Sequence, residues 1–133
     1  MDTLGRCTVT AATEAARAYL ARGWQPVRVP PGRKGPVDQG WQTRQWQPGD
    51  FGADDNIGVI LGPRSGDLVD VDLDTIEATE LADLYLPRSS AVFGRASKLR
   101  SHRLYIAPGA RKEAFADPTD GEMIVELDRK SVV

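Results

Sequence analysis

Leu68-Val69-Asp70-Val71-Asp72-Leu73-Asp74 is the most informative stretch of this chain. Apolar and acidic residues alternate through it, the period of a β-strand. On a strand, residues two apart share a face and lie about 6.5–7 Å apart. Asp70, Asp72 and Asp74 therefore fall on one side, and Val69, Val71 and Leu73 on the other. Carboxylates crowded on one face raise each other's pKa. A divalent cation removes that cost, and hard oxygen ligands suit Mg²⁺ or Mn²⁺. The competing reading is an edge strand with a solvated acidic face, a common device against aggregation. Asp74 sits where a helix N-cap belongs, which leaves Asp70 and Asp72 as the metal pair.

The elements around this strand follow from local rules. Thr10 to Arg22 is alanine-rich and reads as a helix that Thr10 caps and Gly23 stops. Pro26 to Val29 is extended, and the Pro/Gly/Lys run from Pro30 to Pro36 excludes helix. Val37 to Asp55 reads as loop with at most a short helix. Asn56 to Leu61 is an apolar run closed by Gly62-Pro63 and reads as a buried strand. After Asp74 a helical stripe runs to Leu86, where Pro87 ends it. Ala91–Phe93 and His102–Ile106 read as strands, with Gly94 to Arg100 a basic loop between them. Glu122–Leu127 is a further strand. Strands and helices are interspersed, which predicts an α+β or mixed α/β fold with a mainly antiparallel sheet, and of the two we take α+β. Ser131-Val132-Val133 reads as the start of another element, so we expect a domain cut short at its C-terminus.

Three further groups carry candidate chemistry. The segment Gly94 to Arg103 gathers Arg95, Lys98, Arg100 and Arg103 beside Ser101 and His102, the only histidine. Arg and Lys neutralise phosphate oxygens, and histidine donates to them or moves a proton near neutral pH. A solvated basic loop and a structural histidine are the bland alternative. Glu126 lies in the otherwise apolar Met-Ile-Val-Glu-Leu run, where an acid needs a ligand, a metal or water; Glu122 and Asp128 read as surface charges. Lys34, in Pro31-Gly32-Arg33-Lys34-Gly35-Pro36, can reach a phosphate, although the run lacks the Walker pattern and is no P-loop. Trp24, Trp41 and Trp46 suit core packing better than base stacking.

Composition sets the limits. The 133 residues suit one domain, and 41% hydrophobic with 27% charged residues is ordinary globular usage, not that of a disordered chain. A net charge of −2 lacks the global signature of a nucleic-acid binder but allows a local basic groove. One cysteine, Cys7, rules out an internal disulfide and a multi-cysteine zinc site. With no apolar leader and no membrane-length stretch, the chain reads as soluble and cytoplasmic, with no membrane partner.

The order of the pieces carries a resemblance. Arg22-Gly23-Trp24, the Pro-Gly-x-Lys-x-Pro loop, Gly40-Trp41, Asn56 to Gly62, Ser65-Gly66, the Asp-x-Asp strand, the histidine and the Val-Glu-Leu strand follow in turn. The chain resembles, over nearly its whole length, the bifunctional primase/polymerase N-terminal domain of the archaeo-eukaryotic primase superfamily. Such domains occur in plasmid, phage and prophage replication proteins, often fused to a helicase. The resemblance implies an N-terminal α/β module (residues 1–64) and an incomplete RRM-like module (65–133) in one catalytic domain. It matches Asp70 and Asp72 to the paired metal aspartates, His102 to the histidine that contacts the nucleotide's phosphates, and Glu126 to the third acid. The implied activity is primer or DNA synthesis from nucleoside triphosphates on a single-stranded DNA template, with Mg²⁺ or Mn²⁺ and a replicative helicase as partner. A metal-dependent nuclease and a non-catalytic nucleic-acid-binding module are the alternatives. Two departures stand out. Arg100 occupies the position two before the histidine, where the family has a small residue, and the family domain continues past the third acid.

Overall fold

The computed structural model describes residues 10–128 and 130–132, and of the last two the backbone alone. The architecture is α+β with antiparallel sheets, as the pattern of elements predicts. The chain divides into two compact units. Among the described residues, one is drawn from 10–60, 64–66 and 131–132, the other from 61–63, 67–128 and 130.

In the first unit helix α1 (Ala11–Ala21) begins where Thr10 Oγ1 accepts from the Thr13 backbone N–H. It ends before Gly23, whose φ of +81° is cheap only for glycine. Strand β1 (Gln25–Val29) pairs antiparallel with β2 (Asn56–Ile60). The final strand, which we number β8 (Ser131–Val132), pairs with β2 on its other side. Residues 131–132, grouped with the second module in the sequence reading, thus complete the first unit's sheet.

The small side chains of Ala12 and Ala16 let α1 approach this sheet closely, and they pack with Val27, Phe51, Ile60 and Trp46. Trp46 is 1% exposed and donates its Nε1–H to the Trp41 carbonyl. Trp41 packs against the same core. These two tryptophans hold down the stretch from Val37 to Asp55, whose only regular piece is a single 3₁₀ turn, Pro48–Asp50. Trp24 is half-buried beside Tyr19, with the Arg22 guanidinium over its ring.

Asp55 stitches this unit's loops. Its side chain is 6% exposed and accepts from Arg28 Nε at 2.9 Å and from the Gly52 N–H at 2.6 Å. Burial pushes the carboxyl up, but the Gly52 and Arg28 hydrogen bonds and the Arg28 charge outweigh it and hold it below the ordinary value. A depressed folded value contributes stability above the unfolded value of about 3.9, lost as pH falls through the folded one. Asp55→Ala should destabilise the chain by about 1–3 kcal/mol at neutral pH and flatten the acid limb of its pH–stability curve. Urea melts between pH 3 and 7 measure both, and an unchanged acid limb would refute the assignment.

The second unit is a five-stranded antiparallel sheet in the order β4-β5-β3-β7-β6. Its strands are β3 (Leu68–Leu73), β4 (Val92–Arg95), β5 (Lys98–Ile106), β6 (Glu113–Ala116) and β7 (Met123–Asp128). Helix α2 (Ile76–Tyr85) lies on one face, where Val71, Leu73 and Ala82 form a core with Ala78, Leu86, Tyr105 and Val125.

Three details differ from the sequence reading. Thr75, not Asp74, caps α2, its Oγ1 accepting from the Ala78 N–H at 3.0 Å. The basic "loop" is the tip of a β4–β5 hairpin. A Cβ at Gly94 would collide with the Lys98 carbonyl oxygen and lie 2.8 Å from the Arg100 nitrogen, so only glycine lets the strands close here. Strand β6, in the segment read as irregular, pairs with β7 through an irregular register.

Candidate functional site

Pairing register decides which side chains meet. Asp72 lies opposite His102 on β5 and Glu126 on β7, and Asp70 lies opposite Leu104 and Asp128. Directly opposed residues in an antiparallel sheet project to the same face. Asp70, Asp72, His102, Glu126 and Asp128 therefore share the face that α2 does not cover. Phe93 joins them from β4, opposite His102, with the two rings stacked at 4.9 Å and 18°.

The centre of this face is a coupled acid–histidine group. Asp70, 2% exposed, binds His102 Nδ1 through Oδ2 at 2.8 Å. Asp72 Oδ1 lies 3.8 Å from the same nitrogen. Among the described residues no hydrogen-bond partner reaches Asp70 Oδ1 or Asp72 Oδ1, and both atoms are buried. A buried carboxylate oxygen without a partner is costly. The strand holds both oxygens in place because the opposite face, Val69, Val71 and Leu73, is locked into apolar packing.

The titration of the group follows from this crowding. Burial raises Asp70 above the ordinary carboxyl value, with Asp128 and Glu126 adding to the rise against the His102 hydrogen bond and charge. Burial likewise raises Asp72, with Asp74 and Asp70 adding and His102 and Lys98 opposing. The Asp70 hydrogen bond raises His102 against burial, and the charges of Asp70 and Asp72 raise it further. The folded chain thus binds protons here more tightly than the unfolded chain. His102 contributes stability in full below about pH 6.5, and loses it as pH rises through its raised value. The two aspartates cost stability above their raised values, a cost relieved as pH falls through them.

Those orphaned oxygens are what a hard cation would satisfy, and Asp70 and Asp72 fit Mg²⁺ or Mn²⁺ on that ground. Among the described residues no three or more His, Cys, Asp or Glu side chains form a ready-made metal cage. Mg²⁺ is commonly held by one or two carboxylates with water and substrate phosphates completing its shell, so two aspartates meet that requirement. Glu126, on the same face, is ion-paired to the exposed Lys112 at 3.4 Å.

The basic residues divide. Lys98 lies on the acidic face, 3.1 Å from Asp74 Oδ1, with the exposed Arg95 opposite it in the hairpin. Arg103 points to the other face, 3% exposed, with Nη2 on Asp83 of α2 at 2.7 Å. Arg100, in the left-handed region at φ +57°, also reaches Asp83, at 3.1 Å. Ser101 is buried and alternates away from His102. The structure thus keeps His102, Lys98 and Arg95 with the acids and turns Ser101, Arg100 and Arg103 toward the helix side. Lys34 is exposed in the first unit.

Two participants escaped the sequence reading. Asp128 is not a plain surface charge; it is half-buried opposite Asp70 and accepts from the Lys130 N–H. The two-residue period that pairs Asp70 with Asp72 also pairs Glu126 with Asp128, so that signal was present. Phe93 left no signal, because its neighbour depends on hairpin register.

The class defined by fold and site is an α+β protein that carries an acid–histidine group on one face of an antiparallel sheet. The chain belongs to the bifunctional DNA primase/polymerase N-terminal domain family, whose model matches residues 16–127. Membership places it among DNA primase/polymerase domains, which are nucleotidyltransferase-type enzymes. No curated protein and no solved structure matches the chain significantly. Among the described residues no helix is long and apolar enough to cross a membrane.

Proposed function

We propose that this chain joins nucleoside triphosphates on a single-stranded DNA template, in phage or plasmid replication beside a helicase. The observation that carries the reading is the pair of buried, unpartnered oxygens of Asp70 and Asp72 beside His102. Asp70 and Asp72 hold Mg²⁺ or Mn²⁺, with Glu126 as the third acid once it leaves Lys112. In a two-metal site the bound ions would activate the attacking 3′-hydroxyl and neutralise the leaving pyrophosphate. His102, oriented through Nδ1 by Asp70 and flanked by Phe93, offers Nε2 to a phosphate oxygen. Lys98 and Arg95 supply positive charge at the hairpin for the triphosphate. The second unit's strand order, with α2 between β3 and β4, suits the RRM-like module that the resemblance implies.

Primer synthesis on single-stranded template, with labelled ribo- and deoxynucleoside triphosphates and Mg²⁺ or Mn²⁺, tests the proposal. The expected result is metal-dependent product from the chain, or from the gene product that contains it. Degradation of template in place of synthesis would assign a nuclease, and binding without either reaction a non-catalytic module. His102→Ala should lower incorporation about 10–100-fold, mainly by raising the KM for the nucleotide, since a lost phosphate contact weakens ground-state binding too. Equal kinetics for variant and wild type would remove His102 from the site.

A further inference from the structure

The face of the second sheet opposite the acids is only partly covered. Five strands at about 4.8 Å spacing span roughly 20 Å, whereas one helix with its side chains is about 10 Å across. Helix α2 therefore leaves a groove beside it, of about 780 Å³. Leu73 and Val125 lie at its sheet side, and Leu81 and Tyr85 of α2 form a wall. Those two helix residues are 48% and 78% exposed, and Ile76 and Leu84 on the same short helix are exposed as well. So much exposed apolar surface on a ten-residue helix marks an interaction site.

The charge around the groove selects its occupant. Glu77, Asp117, Asp120 and Glu122 line it, and among the described residues no Lys, Arg or His does. Asp117 and Asp120 each spend one oxygen on their own turn, at the Thr119 and Glu122 N–H groups, and keep the other for a partner. Four carboxylates repel a phosphate backbone, so this is no path for the template. They attract Lys and Arg.

We propose that the groove docks a basic amphipathic helix of a partner protein, laid alongside α2. Apolar anchors at i, i+3 or i+4 and i+7 enter the slot, and flanking Lys or Arg side chains meet the acidic rim. The free width suits one helix, since packed helices lie 8–10 Å apart. The proposal does not depend on the reaction assigned to the opposite face.

The test is a selection from a display library of helix-biased random peptides against the folded chain. Enriched peptides should carry that apolar spacing with basic flanks, bind more weakly as salt rises, and bind Leu81→Glu/Tyr85→Glu at least about tenfold more weakly. Both positions are exposed, so the double variant should fold, as circular dichroism would show. If it does not, Glu77→Lys/Glu122→Lys serves instead, with an expected loss of about threefold to tenfold for basic peptides. No enrichment, acidic or uncharged winners, or equal affinity for the variants would each overturn the proposal. A concentration-dependent dimer abolished by Leu81→Glu would also overturn it, because the occupant would then be a second copy.

Discussion

Asp70→Asn and Asp72→Asn should each lower nucleotide incorporation by about 10³-fold while the chain stays folded. Asparagine keeps the shape of the side chain and removes the charge that would hold a cation. A loss of that size is about 4 kcal/mol in the barrier, the scale on which a bound metal stabilises developing charge. Folding should respond differently. The wild-type aspartates sit above their ordinary pKa because burial and neighbouring acids disfavour their charge. Neutral asparagines relieve part of that cost, and at position 70 the amide oxygen can still accept from His102.

Metal binding supplies the second readout. Mn²⁺ at 100 times its Kd stabilises a folded chain by about 2.7 kcal/mol, a shift of several degrees in Tm. Wild type should show this shift at pH 8. The shift should shrink as the pH is lowered, because burial and pairing raise the proton affinity of Asp70, Asp72 and His102, and protons compete with the ion. Neither asparagine variant should show it. Incorporation by both variants within tenfold of wild type would end the metal-site reading.

Trp46→Ala should cost about 3–5 kcal/mol. The indole is 1% exposed and joins α1 to the sheet of the first unit through Ala12, Ala16, Val27 and Ile60. Truncation also frees the Trp41 carbonyl from its hydrogen bond and removes the ring beneath the Arg44 guanidinium, 4.1 Å from its centroid. Domains of this size are stable by about 5–15 kcal/mol in total, so the substitution removes at least about a fifth of that stability. Trp46→Phe keeps most of the volume and should recover more than half of the loss. Urea denaturation followed by circular dichroism measures both, and a loss below about 1 kcal/mol for the alanine variant would place Trp46 outside the core.

Much of the fold was readable along the chain because its signals are local. Thr10, Gly23, Pro87 and the alternation of residues 68–73 announce their elements through capping, positive φ, a missing N–H and period two. The misread pieces depend on distant partners. Asp74 and Thr75 compete for one cap, and Lys98 draws Asp74 into an ion pair. Strand β6, Glu113–Ala116, is exposed along its length and owes its conformation to β7. The arginines after Gly94 look alike in sequence. Whether one faces the acids or α2 is set by alternation along β5 and by the left-handed backbone at Arg100 that interrupts it.

The sequence by itself settled that Asp70 and Asp72 share a face, since period two is a property of any extended chain, and the order of its motifs pointed to the family. Tertiary structure decided which other groups stand beside those acids. His102 and Glu126 reach Asp72 from strands 30 and 54 residues away, and Asp128 and Phe93 join them, because hydrogen-bond register aligns residues that no local rule connects. It also decided which carboxylate oxygens lose their water, since burial is a property of the packed sheet and not of the strand.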